Sequence, residues 1–111
     1  MAEVSDALIS AIVKTIAEEV RPRQIYVFGS CAKGTNSACS DLDLLIVKDQ
    51  DFDSGQTRWN ELKRIRRVLR PFRVPKDILL YSQGELEKWR CSLNHIVAHA
   101  MREGRLVYDR S

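Results

Sequence analysis

Apolar residues recur at Val4, Leu8, Ala11, Ile12, Ile16 and Val20, the three-and-four spacing that lines one face of a helix, and Pro22 marks its end. The pattern then shortens. Gln24–Phe28 and Leu42–Val47 are apolar runs of strand length, separated by a small-residue, polar turn over 29–40. From Asp49 to Gly55 the chain is polar, with Asp53 or Ser54 available as an N-cap. A helix from there to Arg70 puts Trp59, Leu62, Ile65 and Leu69 on one inward side, and Pro71 stops it. Val74–Tyr81 reads as a third strand. Ser82-Gln-Gly-Glu85 has the spacing of a capping box opening a third helix, with Leu86, Trp89, Leu93, Ile96, Val97 and Ala100 turned inward and Gly104 as its C-terminal cap. Leu106–Tyr108 adds a short final strand. This order predicts an α/β sandwich, helices packed on a small sheet, in one domain spanning 1–111.

Candidate chemistry sits where the first apolar run gives way to the second. Asp41 and Asp43 are two residues apart at the mouth of a strand, so both point to one face. Paired anions repel unless a cation sits between them, and hard divalent ions such as Mg2+ prefer carboxylate oxygens. Asp77 opens the third strand and could complete a three-carboxylate cluster. Such a cluster suits displacement at phosphorus with two ions clamping the attacking and leaving oxygens. Upstream, Gly29 permits close backbone approach, Ser30 offers its N–H and hydroxyl to phosphate oxygens, and Lys33 adds a point charge for a triphosphate. The turn is not a P-loop, because Lys33-Gly34-Thr35 has the wrong order. A lone Asp-x-Asp is common in solvated turns; the combination with Asp77 and the Gly-Ser turn gives it meaning.

A second constellation, Cys91, His95 and His99, falls at i, i+4 and i+8 on one helix, a stripe that could hold zinc. It shares its side with Lys88 and Arg102, whose charges disfavour a divalent ion, so a solvated or partner-facing stripe is the better reading.

Composition narrows the field without deciding it. The 44% hydrophobic and 30% charged content of the 111 residues is that of an ordinary globular protein. No apolar run approaches the ~20 residues of a membrane span, and the acidic N-terminus lacks a signal-peptide layout. Three cysteines without ligand-like pairing point to free thiols in a reducing compartment, and the expected location is the cytoplasm. A net charge of +3 is too small to imply direct nucleic-acid binding. Its distribution is uneven: Arg58, Lys63, Arg64, Arg66, Arg67, Arg70 and Arg73 crowd one stretch, either a solvated helix face or a dock for an acidic partner or polyanion.

Val27-Phe-Gly-Ser30, Ala32-Lys-Gly34 and Ser40-Asp-Leu-Asp-Leu-Leu-Ile-Val47, with Asp77-Ile-Leu-Leu and Arg102-Glu-Gly-Arg-Leu-Val-Tyr108, resemble the minimal nucleotidyltransferases of the DNA polymerase beta superfamily. The resemblance covers nearly the whole chain. It implies the polymerase beta-like nucleotidyltransferase fold, a small mixed sheet with helices packed on it. It also implies that Gly29 and Ser30 bind the nucleotide's phosphates, that Asp41 and Asp43 hold both of two Mg2+ ions, and that Asp77 holds the catalytic one. Cys31 stands where a larger residue is frequent and Lys33 where Arg is common, which bears on triphosphate affinity and nucleotide preference.

The function implied is Mg2+-dependent transfer of a nucleoside monophosphate, AMP from ATP or another NTP, to a hydroxyl acceptor. Larger relatives add a second domain for the acceptor, which 111 residues leave no room for. Minimal members are often paired with HEPN-domain proteins, so the resemblance implies an antitoxin that adenylylates such a partner. Two alternatives stand beside it: a non-catalytic module that masks its partner by contact, and a stand-alone small-molecule or RNA nucleotidyltransferase.

Overall fold

A computed structural model describes residues 6–28, 42–49, 55–74, 76–89 and 104–110. Within them the elements run α1 (Asp6–Val20), β1 (Gln24–Phe28), β2 (Leu42–Lys48), α2 (Gly55–Val68), β3 (Lys76–Ser82), α3 (Gln83–Trp89) and β4 (Arg105–Asp109). The strands form one mixed sheet in the order β3-β2-β1-β4. β1 pairs antiparallel with both β2 and β4, while β2 and β3 are parallel, joined through α2.

α1 ends because Pro22 disfavours the helical conformation for the residue before it. Arg21 turns to φ 48° and still donates its N–H to the Ala17 carbonyl at 3.1 Å. α2 stops at Val68, two residues short of the sequence expectation, and a turn carries the chain past Pro71. The Lys76 ammonium stitches that turn by donating to the carbonyls of Phe72 (2.6 Å) and Val74 (2.9 Å). The expected capping box is present: the Glu85 N–H donates to Ser82 Oγ at 3.1 Å, and the Ser82 N–H donates to Glu85 Oε1 at 2.9 Å. The expected cap at Asp53 or Ser54, the continuation of the third helix beyond Trp89 and its ending before Gly104 lie outside the described residues.

Each face of the sheet carries its own core. On one face Ile25, Val27, Leu42, Leu44, Ile46 and Leu80 pack under α1 (Ile9, Ile12, Val13, Ile16, Val20), Ile65 of α2 and Leu69 of the turn after it. On the other, Leu45 and Val47 pack with Leu86 of α3, flanked by Tyr26, Phe28, Leu79 and Tyr81. β2 is covered from both sides, which is why it reads as a continuous apolar run instead of an alternating one. At β4 the register shifts opposite Ile25 and Tyr26, so Val107 and Tyr108 both reach the first core while Leu106 stays exposed.

One expectation is corrected. Trp59 does not join Leu62, Ile65 and Leu69 inside; it is 49% exposed. At 100° per residue it stands about 120° round the helix from Ile65, on the flank of the buried stripe. Arg58 takes the position over the sheet, its guanidinium 5.2 Å above the Tyr81 ring and paired with Glu85.

Candidate functional site

The alternation of β2 sets the site. Leu42, Leu44 and Ile46 go to the face covered by α1 and α2, so Asp43, Leu45 and Val47 share the other. Antiparallel pairing puts Phe28 of β1 opposite Asp43, and parallel pairing puts Asp77 of β3 beside it. Residues in register share a face, so Phe28, Asp43 and Asp77 form one row across three adjacent strands, each ~4.8 Å from the next. The next row behind is Tyr26, Leu45 and Leu79, a floor without charge. Two carboxylates are thus set side by side on an apolar support.

A recess of about 180 Å³ opens over this row, lined by Phe28, Asp43, Asp77, Ile78, Leu79 and Arg66 of α2. Larger hollows lie elsewhere, one beside Ile9, Ser10 and Val13, the other beside Arg21, Lys48, Asp49 and Arg110. Neither holds paired acids. In the second, Asp49 is consumed by ion pairs with Arg23 (3.8 Å) and Arg110, which pin the end of β4 to the end of β2.

Lys76 precedes Asp77 but does not neutralise it. Successive strand residues face opposite ways, and the Lys76 ammonium is spent on the Phe72 and Val74 carbonyls, where burial lowers its pKa. Asp77 is exposed and makes no ion pair among the described residues. The recess therefore combines two hard oxygen donors with one guanidinium at its rim.

Of the residues singled out in the sequence, the structure brings Asp43 and Asp77 together on neighbouring strands. Asp41, Gly29, Ser30, Lys33 and Cys31 lie outside the described residues, as do Cys91, His95 and His99. Arg66 was seen only as one of a run of cations. Its place was readable in principle, since it follows the inward Ile65 by one position and therefore sits on the helix flank. Which flank, and beside which strand, depends on how α2 lies on the sheet.

The nucleotidyltransferase domain family model matches residues 9–107. No curated protein matches. Among solved structures, the chain resembles one component of a toxin–antitoxin assembly crystallised with AMP-PNP, at 18% identity and TM-score 0.58, over 90% of this chain and 72% of that one. It also resembles a chain of a mutant MntA–HpeT toxin–antitoxin complex, at 16% identity and TM-score 0.56, over 91% and 71%. A Sulfolobus solfataricus protein, itself only provisionally assigned as a nucleotidyltransferase, matches at 22% identity and TM-score 0.58 over 99% and 93%. At these identities the structural likenesses establish the fold; the family model carries the membership.

Proposed function

Because the chain belongs to the nucleotidyltransferase domain family, we propose that it transfers AMP from ATP to a hydroxyl of a partner protein, acting as the antitoxin of a HEPN/MNT pair from a single catalytic domain. The observation that carries this reading is the Asp43–Asp77 pair, held in register on adjacent parallel strands and open to a recess. The toxin–antitoxin context of two structural neighbours, one of them with an ATP analogue, supports the partner and the nucleotide.

The donor set fits Mg2+: the described lining offers carboxylate oxygens from two neighbouring strands and, among the described residues, no soft ligand. Asp41, Asp43 and Asp77 would hold the ions. Bound there, Mg2+ supplies a lowered pKa for the attacking hydroxyl and charge neutralisation for the leaving pyrophosphate. Gly29, Ser30 and Lys33 would hold the triphosphate oxygens through backbone N–H, hydroxyl and ammonium.

The acceptor hydroxyl oxygen bonds to the α-phosphorus, and the bond from that phosphorus to the oxygen bridging to the β-phosphate breaks. Pyrophosphate leaves with the electron pair. Asp77, the outermost carboxylate of the row, takes the hydroxyl proton. Phe28, Leu79 and Ile78 give the recess apolar walls beside the two carboxylates.

Intact-mass spectrometry of the protein that co-purifies with this chain tests the reading. An adduct of AMP size on the partner is expected with the wild type, absent with Asp41→Asn/Asp43→Asn and with Asp77→Asn. A partner that stays unmodified yet is neutralised equally by all three forms would replace catalysis with masking by contact.

A further inference from the structure

We propose that the flank of α2 formed by Trp59, Lys63, Arg66 and Arg70 is the docking surface for an acidic segment of the acceptor protein, with Arg66 at the point where that surface enters the Asp43–Asp77 recess. The inference rests on the protein-acceptor reading above and says where the acceptor sits.

The helix sorts its cations into two groups. Arg58 is consumed by Glu85, the Leu80 carbonyl and the Tyr81 ring. Arg64 is consumed by Glu61 (3.3 Å) and Glu19 of α1 (3.4 Å). Both act within the fold. Lys63, Arg66, Arg67 and, just past the helix, Arg70 are exposed and make no ion pair among the described residues; Arg67 stands further round toward solvent, so Lys63, Arg66 and Arg70 share one side. With Trp59 they fall at i, i+4, i+7 and i+11, the last in the turn that follows the helix. At about 1.5 Å per residue this is a stripe roughly 16 Å long on one side of the buried face, turned away from the α1 side that Arg64 and Glu61 occupy.

Cations stacked at three- and four-residue spacing repel one another, and no carboxylate is interleaved among them. Such a stripe gains from an anionic occupant. Trp59, 49% exposed at its head, is the side chain type that most often anchors a protein interface, and arginine is its usual companion there. A single-stranded nucleic acid would instead call for a succession of aromatic platforms, and the stripe has one.

Position ties the stripe to the chemistry. Arg66 lines the recess with Asp43 and Asp77 while sharing its helix flank with Trp59 and Lys63. β3, which carries Asp77, is an edge strand of the sheet among the described residues. A segment lying along the flank beside that strand brings a hydroxyl-bearing residue to the carboxylate row. Its acidic neighbours meet the cations, of which Arg66 stands nearest the carboxylate row.

Fluorescence anisotropy with a labelled random copolymer of glutamate and tyrosine tests this, with a lysine–tyrosine copolymer and a twelve-nucleotide single-stranded RNA alongside. The wild type is expected to bind the glutamate–tyrosine polymer and to lose that binding in high salt. Trp59→Ala/Lys63→Glu/Arg70→Glu, which leaves Arg66 and the recess intact, is expected to weaken it at least ~10-fold. Arg70→Glu alone, in an exposed turn, is expected to weaken it ~3-fold, the scale of one surface pair; it guards against a folding defect in the triple variant. Equal binding by wild type and variants, no binding by the wild type, or tighter binding of the RNA would overturn the proposal. Binding is read without transfer, so the two readings fail separately. A polymer that docks on this flank but never receives AMP would sink the catalytic reading and leave the dock standing.

Discussion

Glu85 joins three elements, and its removal separates what each bond contributes. Its Oε1 accepts the Ser82 N–H at the start of α3, and its carboxylate pairs with Arg58 of α2. Glu85→Ala loses a charge-assisted hydrogen bond to a residue that is itself fully buried, about 1.5–3 kcal/mol. It also loses an ion pair whose side chains are 34% and 28% exposed, about 1 kcal/mol at most after solvent screening. The expected cost is therefore about 2–4 kcal/mol. That is a large share of the roughly 5–15 kcal/mol available to a domain of this size, and a fall of about 10 °C or more in Tm. Glu85→Gln keeps an acceptor for Ser82 and gives up the charge, so about 1 kcal/mol is expected. Ser82→Ala removes the other half of the cap, about 1 kcal/mol. Urea unfolding followed by far-UV circular dichroism measures all three. The reasoning fails if Glu85→Gln costs as much as Glu85→Ala, because the ion pair and not the cap would then hold the helix. It fails equally if Glu85→Ala costs under about 1 kcal/mol.

Trp59→Ala should change stability by less than about 1 kcal/mol, whereas Ile65→Ala, at a fully buried site, should cost about 2–5 kcal/mol; equal losses would return Trp59 to the core. Asp77→Asn should leave the metal-free protein unchanged or stabilise it by up to about 1 kcal/mol at low salt, by removing one of two neighbouring anions. The same substitution should abolish the rise in Tm that Mg2+ gives the wild type, and a Mg2+ response surviving it would remove Asp77 from the ion site. Lys48 has its pKa lowered by burial despite Glu61 beside it, so the unfolded chain binds its proton more tightly than the native one. Stability from this group is therefore least where both states are protonated, and it rises with pH from the lowered native value up to the ordinary lysine value of 10.5. The unfolding free energy of the wild type minus that of Lys48→Met should climb across that window; a flat or falling difference would contradict the burial argument.

Local patterns told most of the element order. Apolar spacing and Pro22 placed α1 and its end, and Ser82 with Glu85 announced the cap that opens α3, because each depends on residues within one turn of one another. β1 ends at Phe28 as read. Asp43 and Asp77 were legible as carboxylates at strand openings, and their meeting follows once β2 and β3 are parallel neighbours in register.

That parallel pairing is something no local pattern specifies. Alternation says which residues share a face of one strand; it does not say which strand lies alongside, nor in what register. Trp59 shows the same limit on a helix. Its spacing suits a core position, yet an amphipathic stripe has edges, and only the tilt of α2 on the sheet decided that Arg58 lies over Tyr81 while Trp59 faces solvent. Arg66 lines the recess through the same packing of α2 beside β3. By itself, then, the sequence determined the described elements, the Ser82–Glu85 cap and the acids available for chemistry, since these follow from short-range sterics and periodicity. Tertiary structure decided which acids stand in one row and which cations make no ion pair among the described residues, because both depend on packing between segments far apart in the chain.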